Sequence, residues 1–450
     1  MTRSFDDTIF ACATAPGRAG IAVIRISGPR ATAALRALGA AIPRARELRR
    51  ASFRDPESGD LIDQGMAVLF PAPRSYTGED VVELHLHGGR AVTDAILGVL
   101  GRNPGLRLAN PGEFTRRAFE NGKLDLTEAE AIADLVAAET AAQRRQALRQ
   151  LSGELGRLYE GWRERLVRAL GRIEAEIDFP DEGLPTGIMD AVRSEIQAIR
   201  AEVSGHLTDD RRGERLREGL SIAILGPPNA GKSTLLNRLA QREAAITSAI
   251  AGTTRDVIEV HLDLGGYAVT VADTAGLRPT SDSIEAEGVR RAEARAAGAD
   301  LKLVILDAGR AKEAGGPVGA VIDRDTIVIA NKIDLLPRDS AADWADRLGG
   351  GKAARISAAS GIGLDALLQR LIREIAARWD ASAAPALTRA RHRASLEECA
   401  AALGRYETAA LPELAAEDLR LAARALGRIT GRVDVEDLLD LIFREFCIGK

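Results

Sequence analysis

The chain has 450 residues, 46% hydrophobic and 28% charged, with 61 Lys and Arg against 65 Asp and Glu for a formal net charge of -4. This is the composition of an ordinary globular protein with length for roughly two to four domains, and it excludes a disordered chain. The mildly acidic balance and 4% aromatic content argue against a charge-driven nucleic-acid binder with its own base-stacking platform.

No apolar run approaches the roughly 20 residues of a bilayer span. The opening MTRSFDDTIFACATAPG is too acidic, and too short in apolar run, for a secretory signal. Cys12, Cys399 and Cys447 lie far apart, which suggests neither a disulfide framework nor a metal-binding Cys pair. The expectation is a cytoplasmic protein with no membrane association.

In chain order, residues 1–118 mix short β-like runs (8–10, 21–26, 66–70 and 81–86) with helix-like stretches at 31–38 and 91–100, punctuated by Pro-Gly, Ser-Gly and Gly-Gly pairs. A small α+β domain is expected there. From Leu126 the texture turns helical. Thr127 with Glu130 reads as a capping box. Leu148, Leu151, Leu155, Leu158, Trp162, Leu166, Leu170, Ile173 and Ile177 recur at three- and four-residue steps, which predicts one long helix ended by Asp178-Phe179-Pro180. A further helix covers 189–206, and the charged stretch 209–218 reads as a hinge. From Leu220, β-runs alternate with helices to about Trp379, the pattern of a parallel sheet with crossover helices. A joint at 381–386 leads to a helical C-terminus. The expected domains are 1–118 (α+β), 119–217 (helical, first part), 218–380 (α/β) and 381–450 (helical, second part). The α/β module is thus inserted into a helical domain.

The strongest motif is Gly226-Pro-Pro-Asn229-Ala230-Gly231-Lys232-Ser233-Thr234, directly after a strand and before a helix. Its glycines let the backbone wrap phosphates, and its amides with the helix N-terminus supply a positive field. Lys232 is placed to reach the β- and γ-phosphates and Ser233 to ligate magnesium. In Asp273-Thr274-Ala275-Gly276, Asp273 would hold magnesium through water and the Gly276 amide would meet the γ-phosphate. Asn331-Lys332-Ile333-Asp334 suits guanine, whose N1 and N2 protons a carboxylate accepts; adenine lacks that donor pair, which makes ATP the second choice. Ser357-Ala358-Ala359 sits where a loop meets the guanine oxygen, and Gly252-Thr253-Thr254-Arg255-Asp256 offers hydroxyls to magnesium. Together these predict a GTP-binding domain.

Leu277 stands where a Ras-like enzyme carries a water-orienting Gln. A monovalent cation held by Asn229 and by backbone carbonyls of 248–252 with Thr253 would neutralise charge between the phosphates. Glu285 and Glu287 are candidates to orient water, each otherwise a solvated helix-face acid. Arg25 and Glu83, on two strands, read on the residues alone as an ion pair. Lys123, at a helix start, hints at an anionic partner. His85 and His87 alternate on one strand side without a third metal ligand. Cys447 is a nucleophile candidate or a structural thiol.

The chain resembles the MnmE (TrmE) family of tRNA modification GTPases, within the wider TrmE-Era-EngA-like superfamily, over nearly its whole length. The resemblance rests on the GTP motifs and on APGRAGIAVIRISG (15–28), YTGEDVVE with HGG (76–89), NPGEFTRRAF (110–119), KLDL (123–126), DFPDE (178–182) and the terminal FCIGK (446–450). It implies GTP hydrolysis with potassium and magnesium, in a homodimer whose G domains meet across the active site. The implied potassium ligands are Asn229, Ser248, Ile250 and Thr253, and the magnesium ligands Ser233 and Thr254. Glu285 would orient water. Ser248 departs from the family's more usual Thr. The N-terminal domain would bind 5-formyl- or methylene-tetrahydrofolate through Arg25, Glu83, Lys123 and Lys450, and would dimerise. With an FAD-dependent MnmG-type partner, the family adds an aminomethyl or carboxymethylaminomethyl group to C5 of the wobble uridine of certain tRNAs, the folate supplying one carbon. A second class stays open on the residues alone: a GTP-regulated binding switch or assembly factor without part in the RNA chemistry.

Overall fold

The computed structural model describes residues 6–179, 187–209, 211–241, 259–273, 298–310, 322–336, 353–379, 385–433, 436–444 and 446–450, with Asp273 and 436–438 described by backbone alone. The chain divides into two compact units: Met1–Val136 with Gln150–Val203 and Ala394–Lys450, and Ala137–Arg149 with Ser204–Arg393.

The first unit opens on a six-stranded sheet. In chain order its strands are β1 (Thr8–Cys12), β2 (Ala19–Ser27), β3 (Arg49–Arg54), β4 (Leu61–Phe70), β5 (Val81–Gly88) and β6 (Leu106–Leu108), arranged β3-β4-β5-β2-β1-β6. Helices α1 (Ala31–Ala37) and α2 (Arg90–Arg102) supply apolar partners for one face. Alternation decides which side chains enter that core. Ile24 and Ile26 of β2, with Val82, Leu84 and Leu86 of β5, pack against Leu35, Ile96, Val99 and Leu100. Arg25, Glu83 and His85 therefore fall on the opposite face, where Ile9, Ala11, Ala109 and Phe114 form a smaller core beside Tyr76.

The helices of this unit are α3 (Glu113–Glu120), α4 (Leu126–Ala137, all but its last residue), α5 (Ala141–Leu151, of which only the last two residues belong here), α6 (Glu154–Asp178) and α7 (Ile188–Leu207, up to Val203). Those of the C-terminal segment are α11 (Ala390–Tyr406, from Ala394 on in this unit), α12 (Pro412–Thr430) and α13 (Glu436–Arg444). The expected packing of the C-terminal helices on the middle ones is present: α12 lies along α6, and both bury apolar stripes, Leu155, Tyr159, Trp162, Leu166 and Ile173 on α6 and Leu419, Leu426 and Ile429 on α12.

Two local expectations are corrected. The single helix through 148–177 is two, because Gly153 takes φ +79° and ends the helical run between α5 and α6. Leu148, counted in the stripe, is exposed. The capping box lies two residues earlier than expected: Asp125 Oδ1 accepts the Glu128 amide and Glu128 Oε2 accepts the Asp125 amide, each at 2.8 Å. Thr127 and Glu130 are buried inside α4 instead.

The second unit holds strands β7 (Leu220–Leu225), β8 (Glu259–Leu264), β9 (Tyr267–Asp273), β10 (Leu301–Asp307), β11 (Thr326–Asn331) and β12 (Ala354–Arg355), in the order β12-β11-β10-β7-β9-β8. Five of these pair in parallel as expected, whereas β8 joins β9 as an antiparallel hairpin through Gly265 and Gly266, both at positive φ. Helices α9 (Lys232–Ala240) and α10 (Leu364–Trp379) pack apolar faces on the sheet. The charged stretch read as a hinge forms helix α8 (Arg212–Glu218); Arg393 holds Glu214 at 2.9 Å and Asp209 at 2.8 Å.

Candidate functional site

The phosphate loop joins β7 to α9 at the carboxyl edge of the second sheet, where open α/β sheets bind ligands. Its shape requires glycine twice. Gly226 has φ +146°, and a Cβ there would lie 2.1 Å from the Ile305 carbonyl oxygen; Gly231 has φ +101°, and its Cβ would lie 2.1 Å from Asn331 Nδ2. Asn229 takes φ +60° and is exposed. The Lys232 ammonium folds back over the loop and donates to the Gly226 and Pro227 carbonyls at 2.8 and 2.9 Å. Ser233 and Thr234 sit exposed in the first turn of α9. Two positive-φ glycines, a buried lysine against the loop and a helix N-terminus behind it fit a polyphosphate.

Asn331 ties this loop to two others. It is 2% exposed, its Nδ2 donates to the Ala230 carbonyl at 2.7 Å, and its Oδ1 accepts the Ala358 amide at 2.9 Å. Arg238 of α9 donates to the Ala359 carbonyl at 2.6 Å, and Ser357 is fully buried. Lys332 pairs with Asp307 at 2.8 Å, and Asp334, in a 3₁₀ turn (Ile333–Leu335), is exposed. Asp273 ends β9. Ser248, Ile250, Thr253, Thr254, Thr274, Ala275, Gly276, Glu285 and Glu287 lie outside the described residues.

On the first unit, β2–β5 pairing sets Arg25 opposite Glu83, and the two form an ion pair at 2.9 Å. The Arg25 guanidinium stands 5.3 Å from the Tyr76 ring centre and 5.6 Å from that of Phe114, within cation–π range. Burial, ahead of any other influence, pushes the Tyr76 hydroxyl up from its usual range. The C-terminal tail folds onto the same face. Arg25 donates to the Gly449 carbonyl at 3.4 Å, and Gly449, at φ +102°, fits so closely that a Cβ would lie 2.4 Å from the Cys12 carbonyl oxygen. Lys450 is half-buried and Cys447 exposed. This set is a guanidinium flanked by two aromatic rings and a carboxylate on a half-buried face. Lys123 belongs to the first unit as well. It lies in the turn between α3 and α4, donates to the Pro73 carbonyl at 3.0 Å, and lines a cleft of 620 Å³ with Glu128, Arg157 and Arg432. His87 bonds Asp63 at 2.8 Å while His85 lies 3.7 Å from Glu83, and no cluster of metal-ligating side chains occurs among the described residues.

Residues 8–123 match the GTP-binding protein TrmE N-terminus, and residues 126–447 match the MnmE helical domain. The relatives include the tRNA modification GTPase MnmE of Parvibaculum lavamentivorans, 58% identical over 449 residues, which span 99% of this chain and 100% of that one. Those of Rhodospirillum rubrum and Paramagnetospirillum magneticum are 56% and 57% identical, covering 99% of this chain and 99% and 100% of theirs. The chain belongs to the MnmE family. Its architecture follows accordingly: an N-terminal α+β domain, a helical domain, and a GTPase α/β domain lying within the helical one in sequence.

Three contacts of this MnmE family member were not read from the residue pattern. Tyr76 and Phe114 lie inside motifs quoted above, but only the fold puts both rings against Arg25. Asp307, the partner of Lys332, belongs to no motif; an acid closing a β-run that precedes the Asn-Lys turn is its one sequence signal.

Proposed function

We propose that this chain is a GTP-hydrolysing enzyme acting in tRNA modification. The observation that carries the reading is the convergence at Asn331 of the phosphate loop, the Asn331–Asp334 turn and the 357–359 loop, through bonds of 2.7 and 2.9 Å. The curated names of its relatives agree with it. Lys232 and the loop amides neutralise the phosphates, and Asp334 accepts the paired N–H donors of guanine.

Ser233 with Thr254 would hold magnesium, and Asn229 with Ser248, Ile250 and Thr253 would hold potassium; the two cations would offset charge developing on the phosphates. Glu285 orients the attacking water, a task Leu277 cannot perform. Arg25, Glu83 and Lys450 would hold tetrahydrofolate and Lys123 its anionic tail, and the folate would supply the one-carbon unit for C5 of the wobble uridine. Cys447, exposed in the tail beside this face, is a candidate to take part in that chemistry. A homodimer, a tRNA and an FAD-dependent partner complete the assembly, in the cytoplasm.

The test is steady-state GTP turnover in potassium against sodium. A several-fold higher rate in potassium that Asn229→Ala abolishes is expected. Equal rates in both salts would remove the cation from the mechanism, and no turnover in either would remove the enzymatic reading.

A further inference from the structure

Asp307 closes β10 directly opposite Asn331 of β11, and the Ala308 amide donates to the Asn331 carbonyl at 2.8 Å. Its carboxylate thus stands at the ligand-binding edge of the sheet, beside the turn that carries Lys332 and Asp334. Both oxygens are engaged: Oδ2 accepts the Lys332 ammonium at 2.8 Å and Oδ1 the Gly309 amide at 2.9 Å. Burial opposes its ionisation, yet the Lys332 hydrogen bond, the Gly309 amide and the charges of Lys332 and Arg310 outweigh that and hold its carboxyl below the usual range. At neutral pH the contact is therefore a full ion pair.

Lys332 has two acidic neighbours. Asp334 follows two residues later in the 3₁₀ turn, exposed, and among the described residues the ion pair of Lys332 is with Asp307 and not with Asp334. The distinction matters for a guanine site. An ammonium resting on Asp334 would occupy the oxygens that accept the N1 and N2 protons of the base, and would cancel the charge that makes them strong acceptors.

We propose that Asp307 is a positioning residue that determines base specificity: by sequestering Lys332 it keeps the Asp334 carboxylate available to guanine. This rests on the reading of the site as a guanine-nucleotide site. It acts through Lys332, so its effect vanishes when the lysine does.

The experiment titrates GDP and IDP, which lacks the exocyclic amine, against the wild type, Asp307→Asn, Lys332→Met and the double variant, with the Asp307→Glu variant as a rescue. Asp307→Asn is expected to weaken GDP by about tenfold and IDP by less, so that the IDP-to-GDP ratio of Kd falls. In the Lys332→Met background the same change is expected to alter GDP affinity by less than about twofold, because no cation is left to release. Asp307→Glu, which keeps the clasp, is expected to recover most of the ratio. A ratio unchanged by Asp307→Asn, or an equal loss of GDP affinity with and without Lys332, overturns the proposal. A wild type that fails to bind GDP, or binds IDP equally well, overturns instead the guanine reading on which it rests.

Discussion

Gly226 shows most sharply what the phosphate loop demands of one residue. Its φ of +146° is open to glycine, and an added Cβ would meet a backbone oxygen that cannot move aside, 2.1 Å away. Gly226→Ala is expected to lower GDP affinity by more than about tenfold, or about 1.4 kcal/mol, through displacement of the loop; calorimetric titration beside an unfolding curve separates that from loss of fold. The thiols offer a second check at this scale. Burial, followed by the neighbouring charge of Glu398, pushes the Cys399 thiol up to about 12, whereas Cys447 is exposed. A thiol reagent at neutral pH is expected to label Cys447 in the native chain and Cys399 only after unfolding, read by peptide mass mapping. Rapid native labelling of Cys399 would contradict its burial. Single residues were legible where the chemistry is local, as with Gly226, Gly231 and Lys232. Asp307 was not, because its role depends on a strand register that no short window encodes.

At the scale of elements, a charged network ties α3 to the strands around it. Arg117 is fully buried and pairs with Asp7 at 2.7 Å, Glu113 at 3.1 Å and Glu79 at 3.2 Å, while Arg107 spans Asp7 and Glu113. Burial alone would raise the pKa of Glu113, but the Arg107 hydrogen bond, the Asn110 amide and the charges of both arginines hold it below the usual range. A folded pKa below the unfolded value of about 4.3 contributes stability above that value, lost as pH falls through the folded pKa. Glu113→Gln is expected to destabilise the protein at neutral pH, since it strips partners from a buried guanidinium. It is also expected to flatten the loss of stability from neutral pH to about pH 4 or below, followed by urea unfolding. A variant with unaltered acid sensitivity would exclude Glu113 from that loss. Element type was well signalled by period: β-runs in the first hundred residues, alternation from Leu220, and apolar stripes on α6 and α12. The breaks were not. Ser152-Gly153 interrupts a stripe whose spacing continues across the gap, and only the positive φ of Gly153 reveals two helices. Hairpin β8–β9 departs from the expected strand–helix alternation: Glu259–Leu264 alternates polar and apolar residues as an edge strand does, and Gly265-Gly266 turns it straight into β9 with no crossover helix.

For the whole molecule, the net charge of -4 and sparse aromatics set a limit on how the chain meets RNA. That composition supports the proposal that work on tRNA is shared with a partner and confined to local contacts. The insertion of the GTPase domain between helical segments was legible because the texture of the chain changes twice, near 220 and near 380. The placement of Arg25 beside Tyr76, Phe114 and Gly449 was not, since it brings together residues more than four hundred positions apart. The measurement that tests the central claim most directly is mass analysis of wobble uridine in tRNA from cells lacking this chain, complemented with the wild type or with Lys232→Ala. Loss of the C5 modification, restored by the wild type and not by Lys232→Ala, is the expected result. Modification that persists without the chain, or full rescue by Lys232→Ala, would contradict it.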